Sequence, residues 1–131
     1  MNKNEERILV IGGSSPLLEG VSDLLQLAGY QVDQSSSRAE TEYAIHVRPP
    51  NLAIVDLSSP VSDVYRLSEE IDAMTHGSGV PVLFISFSGD DHIRDLQRKS
   101  RANNANGHLQ FYAHTLLSMD GLLDKVQACL S

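Results

Sequence analysis

Three short apolar runs punctuate the chain: Ile8-Leu9-Val10-Ile11, Leu52-Ala53-Ile54-Val55 and Val82-Leu83-Phe84-Ile85. Each is continuous rather than alternating and rich in β-branched residues, which marks a strand covered on both faces. Two weaker runs, Tyr30-Gln31-Val32 and Leu109-Gln110-Phe111-Tyr112-Ala113, lie between the first two and after the third. Between the runs the period becomes helical. Leu17, Val21, Leu24, Leu25 and Ala28 mark one helical face, with Ser15 as N-cap, Pro16 in the first turn and Gly29 as the stop. A second helix starts at Ser36 or Ser37 and runs to about Val47, before Pro49-Pro50. Val64, Leu67, Ile71 and Met74 mark a third, ended near Gly77-Ser78-Gly79, and Met119, Leu122, Leu123, Val126 and Leu130 a C-terminal one. Asp90 to Gly107 holds Ile93 and Leu96 but is otherwise polar, which predicts a short fourth helix and a long loop.

This alternation of strand and helix predicts one α/β domain over residues 1–131. Its core is a doubly wound, five-stranded parallel sheet with helices on both faces. In such sheets the functional site lies beyond the carboxyl ends of the strands, where the strand order reverses. The positions of interest are Gly12 to Ser15, Asp56 to Pro60, Ser86 to Asp90 and the end of the last strand.

Composition narrows the classes. The 131 residues carry 10 Lys and Arg against 17 Asp and Glu, a net charge of −7. That balance argues against direct nucleic-acid binding and against docking on anionic lipid. The single cysteine, Cys129, excludes an intrachain disulfide and a cysteine-based zinc module. No apolar run approaches the roughly 20 residues of a membrane span, and the start, Met1 to Arg7, lacks a secretion signal. A soluble, cytoplasmic protein is expected.

Asp56 directly follows a buried strand, where a carboxylate can accept a phosphoryl group, hold a cation or cap a loop. Ser86 closes the third apolar run, where a hydroxyl can bond a ligand oxygen. Gly12-Gly13-Ser14-Ser15 joins a strand to a helix N-terminus, a place where free N–H groups can cradle an anion. It lacks the Gly-Lys-Ser/Thr ending of a P-loop and the glycine spacing of a dinucleotide fingerprint. His46, His76, His92, His108 and His114 show no metal-ligand spacing. No nucleophile elbow surrounds Ser86, so no catalytic residue is assigned and an enzyme is not expected. Arg94, Arg98, Lys99 and Arg101 form a small basic cluster that reads as a solvated face.

Arg7 to Ile11, Ala28-Gly29-Tyr30-Gln31-Val32 and Arg48-Pro49-Pro50-Asn51-Leu52-Ala53-Ile54-Val55-Asp56-Leu57-Ser58-Ser59-Pro60 together resemble the receiver domain of two-component response regulators. Pro81 to Ser86 and Gly121 to Val126 extend the resemblance over nearly the whole chain. It implies the flavodoxin-like, CheY-like strand order 2-1-3-4-5. It also implies that Asp56 stands at the phosphoacceptor position, Ser86 at the switch hydroxyl that contacts the phosphoryl group, and Asp63 at a loop acid.

The departures from the family are as informative. Receivers carry an acidic pair after the first strand that helps hold Mg²⁺; here those positions are Gly12 and Gly13. Mg²⁺ wants carboxylate oxygens in octahedral geometry, and phosphoryl transfer uses the metal to neutralise developing charge. The family's lysine after the fifth strand is also missing. One register puts Phe111 there and His108 at the switch aromatic; another puts Thr115 there and Tyr112 at the aromatic.

The resemblance therefore implies a degenerate receiver, a pseudo-receiver that transduces signals chiefly by protein–protein interaction. No cofactor is expected, and Mg²⁺ only if the phosphoacceptor site works. The implied partners are a histidine kinase or a downstream effector, and a homodimer through the face of the fourth helix, fifth strand and fifth helix. Two alternatives stand beside it: a working phosphoacceptor at Asp56, and a flavodoxin-like binder of a small anion or nucleotide at Gly12 to Ser15.

Overall fold

In a computed structural model of the chain, the residues described are 6–12, 16–56, 70, 73–75, 79–86, 109–113 and 119–130. The elements are β1 (Arg7–Ile11), α1 (Pro16–Leu27), β2 (Gln31–Ser35), α2 (Arg38–Val47), β3 (Leu52–Asp56), β4 (Val82–Ser86), β5 (Leu109–Ala113) and a C-terminal helix α3 (Met119–Leu130). Glu70 and the stretch 73–75 are also helical. They fall within the predicted third helix, whose Val64, Leu67 and Ile71 lie outside the described residues. So do the predicted fourth helix, Ser15, Asp63 and the basic cluster at Arg94 to Arg101.

All five strands are parallel and ordered β2-β1-β3-β4-β5, the expected doubly wound arrangement. The three apolar runs are β1, β3 and β4, and their side chains from Ile8 to Ile11, Leu52 to Val55 and Val82 to Ile85 are buried. Because successive side chains point to opposite faces, each run feeds two cores. Leu9, Ile11, Ala53, Val55, Val82 and Phe84 face α2, where Ile45 meets them, with Ala44 and Met74 packed alongside. Ile8, Val10, Ile54, Leu83 and Ile85 face Leu18, Val21 and Leu25 of α1 and Leu122 and Val126 of α3.

Local chemistry sets the helix ends. Pro16 opens α1, where its fixed φ suits the first turn. Gly29, at φ 102°, closes it while Tyr30 N–H bonds back to Leu25 O at 3.1 Å. The cap of α2 is Ser37, one of the two serines expected: its hydroxyl accepts from Glu40 N–H at 3.1 Å. The helix stops at Val47, ahead of Pro49-Pro50 as expected.

Two details differ from the sequence reading. Leu18, which the helical pattern does not single out, joins Val21 and Leu25 on the buried face of α1, while the side chain of Leu17 lies outside the described residues. β2 begins one residue later than the weak run and extends through three polar residues to Ser35. It is an edge strand, and each polar side chain has a partner. Asp33 pairs with Arg7 at 3.4 Å, Gln34 bonds Ser22 at 3.0 Å, and Ser35 bonds Thr41 at 2.8 Å. Among the described residues, no helix is long and apolar enough to cross a membrane.

Candidate functional site at the carboxyl ends of β1 and β3

The strand order reverses at β1, which bonds β2 on one side and β3 on the other. In this class of sheet, ligands bind in the crevice outside the carboxyl ends of the strands at such a reversal, here β1 and β3. Ile11 pairs with Val55, so the next residue on each strand brings Gly12 beside Asp56. Asp56 is the last residue of β3 and is half-buried; its backbone is opposite Ile85 of β4. Ser86 ends β4 one residue further along the same rim. The structure thus brings Gly12, Asp56 and the backbone of Ser86 to one end of the sheet, as the strand runs predict.

Gly12 is held from the other side as well. Its N–H donates to Ser35 O at 3.0 Å, which carries the β1–β2 ladder one residue past the strand. A Cβ on Gly12 would lie 2.9 Å from Leu18 Cδ2, 3.1 Å from Asp56 Cβ and 3.9 Å from Asp56 Oδ2. The first two distances are too short for carbon atoms in ordinary contact. A methyl of α1 and the stem of Asp56 therefore fill the space where any side chain at position 12 would start. Sequence reasoning identified the glycine but missed Leu18, because the helical pattern does not reveal a contact with a residue that has no side chain.

Among the described residues, the donor set does not fit Mg²⁺. One half-buried carboxylate faces the crevice, position 12 adds no oxygen, and its near neighbour is an aliphatic methyl. Among the described residues, no group of three or more His, Cys, Asp or Glu comes together as a metal site. Gly13 to Ser15, the rest of the candidate anion cradle, lie outside the described residues.

β5 runs from Leu109 to Ala113, with Tyr112 opposite Ile85 and Ala113 opposite Ser86. Tyr112 is thus on the strand, one residue from its carboxyl end. His108, the other candidate aromatic position, precedes the strand and lies outside the described residues, as does Thr115.

A second concave feature lies at the sheet's edge. A groove of about 460 Å³ runs between β2 and α2, floored by Leu9 and flanked by Asp33, Glu40, Tyr43 and Arg48. Tyr43 and Val47 are exposed on the same helix.

No protein-family model matches the chain. Among curated proteins it is similar to the probable transcriptional regulator ycf27 of Galdieria sulphuraria, 26% identical over 97 residues. That match covers 72% of this chain and 37% of the relative. The ycf27 regulator of Cyanophora paradoxa is 25% identical over 99 residues, 74% of this chain and 40% of that one. The chain thus spans less than half the length of the curated relatives it matches. Among solved structures it resembles an orphan response regulator of H. pylori, with a TM-score of 0.69 at 22% identity over 99% of this chain and 100% of that chain. A response regulator receiver protein from Burkholderia phymatum superposes with a TM-score of 0.68 at 22% identity, covering 96% of this chain and 95% of the other.

Proposed function

We propose that this chain, which has the fold of response regulator receiver domains, is a signalling module that works through protein contacts rather than through a metal-assisted phosphoaspartate. One observation carries the reading: Asp56 lies beside Gly12, just past the Ile11–Val55 pair, so position 12 gives the carboxylate no acidic neighbour. Phosphoryl transfer to a carboxylate needs positive charge against the transferring oxygens. A single aspartate beside a glycine recruits a divalent cation poorly. Asp56 then keeps the phosphoacceptor's place in the fold without the machinery that loads it.

The partners proposed are proteins of a two-component pathway, a histidine kinase or a downstream effector, met in the cytoplasm. Ser86 ends β4 on the same rim as Asp56, which supports its assignment to the switch-hydroxyl position. The bounds of β5 support Tyr112 over His108 for the switch aromatic.

The test is incubation of the protein with a small phosphodonor and Mg²⁺, followed by intact mass. The expected result is no phosphoryl adduct above that of Asp56→Asn. A stoichiometric adduct that disappears in Asp56→Asn overturns the proposal in favour of a working phosphoacceptor.

A further inference from the structure

We infer that Leu18 is an apolar plug which, together with Gly12, closes the crevice beside Asp56 to a cation, so that an acid at position 12 cannot by itself restore a metal site. The inference rests on the reading of a metal-poor Asp56 and assigns its cause to a second residue. A Cβ at position 12 meets Leu18 Cδ2 at 2.9 Å and Asp56 Cβ at 3.1 Å. Neither neighbour yields freely. Asp56 Cβ hangs on a strand hydrogen-bonded on both sides, to β1 and to β4. Leu18 is 5% exposed and belongs to the buried cluster of Val21, Leu25, Ile54 and Ile85, so a shift of its methyl has to be accommodated within a packed core.

The chemistry agrees with the sterics. A hard divalent cation must exchange water for oxygen ligands, and a leucine methyl offers none while occupying ligand space. Gly12 and Leu18 therefore form a complementary pair, the small residue fitted to the large one. Putting back the acid without shortening Leu18 forces the new side chain out of line with Asp56. Shortening Leu18 alone opens space but supplies no second carboxylate.

The experiment is a Mn²⁺ titration by calorimetry on the full chain and on Gly12→Asp, Leu18→Ala and the Gly12→Asp/Leu18→Ala double variant. The double variant is expected to bind Mn²⁺ at least about tenfold more tightly than either single variant, since affinity follows the number of charged oxygens that can converge. The gain should vanish when Asp56→Asn is added. Equal affinity of Gly12→Asp and the double variant overturns the plug while leaving the metal-poor reading of the natural chain intact. Binding by the natural chain as tight as by the double variant overturns both.

A second measurement stands independently of metal and of the larger cavity. Gly12→Ala should lower the thermal midpoint of the natural chain and lower it clearly less in a Leu18→Val background. Equal drops in the two backgrounds overturn the inference.

Discussion

Asn51 and Arg7 hold each other by two hydrogen bonds. The Arg7 backbone N–H donates to Asn51 Oδ1 at 2.8 Å, and the Asn51 backbone N–H donates to Arg7 O at 2.7 Å. The side chain of Asn51 thus stands in for a strand residue and starts the β1–β3 ladder one step before Ile8 meets Leu52. Asn51→Ala removes the acceptor of a half-buried N–H and is expected to cost about 1–2 kcal/mol in urea unfolding. Asn51→Asp keeps an acceptor and should recover a good part of that loss. A cost for Asn51→Ala within the roughly 0.5 kcal/mol typical of surface changes would show that water replaces the bond.

The buried hydroxyl pair under the end of β2 has a definite polarity. Thr41 Oγ1 donates to Ser37 O at 2.9 Å, so its one proton is used and Ser35 Oγ is the donor in the 2.8 Å bond between them. Thr41→Val strips Ser35 of its acceptor inside the protein and should destabilise by about 1–3 kcal/mol. Ser35→Ala in the same background should add little further, because the group left stranded is then gone. A double-variant cost equal to the sum of the two singles would contradict this coupling.

Tyr30 provides a pH signature at the alkaline end. Burial of the ring pushes its hydroxyl above the ordinary value of 10.0, the nearby Glu6 carboxylate pushes the same way, and a hydrogen bond with Gln127 opposes them. The unfolded chain therefore gives up this proton first as the pH rises. Tyr30's contribution to stability is whole below pH 10.0 and is lost as the pH climbs from there through the raised folded-state value. Stability of the natural chain minus that of Tyr30→Phe, measured by denaturant unfolding, should be flat below that pH and decline above it. A difference that stays constant through the alkaline range would refute the assignment.

Cys129 is half-buried on α3, and burial raises its thiol pKa while Lys125, one turn earlier, lowers it in part. The thiolate is the reactive form, so alkylation of the folded protein near pH 8 should be at least about fivefold slower than in denaturant. Lys125→Gln should slow the folded reaction further, since the group that favours the thiolate is removed. Stopped-flow reaction with a fluorogenic maleimide reads both rates; an unchanged rate in Lys125→Gln would exclude the charge effect.

Much of the fold is legible in the residues themselves, for a physical reason. Strands covered on both faces must be apolar throughout, so β1, β3 and β4 show as uninterrupted runs that need no partner to be recognised. β2 is the opposite case. As an edge strand it keeps Asp33, Gln34 and Ser35, and what makes them tolerable is Arg7, Ser22 and Thr41, which are remote in sequence or on other elements. The candidate site divides in the same way. Asp56 stands out because a carboxylate directly follows a buried run, and Gly12 because glycine replaces what the resemblance leads one to expect. Leu18 does not stand out, because its meaning lies in a distance across the sheet to a residue with no side chain.

The parallel sheet also constrains how the chain can acquire its shape. Each ladder joins strands well apart in sequence: Ile8 meets Val32 on one side and Leu52 on the other, and Val82 meets Leu109. No described pair of strands is a hairpin, so no part of the sheet can form from neighbours in sequence. Contacts of this range are entropically costly to close and make folding slow. β1 is an interior strand, flanked by β2 and β3, and is the first of the five to be synthesised. It must wait, with four apolar side chains uncovered, until β2 and then β3 leave the ribosome. The segment 8–11 is thus the stretch most exposed to misassociation during synthesis, and most in need of early shielding by α1.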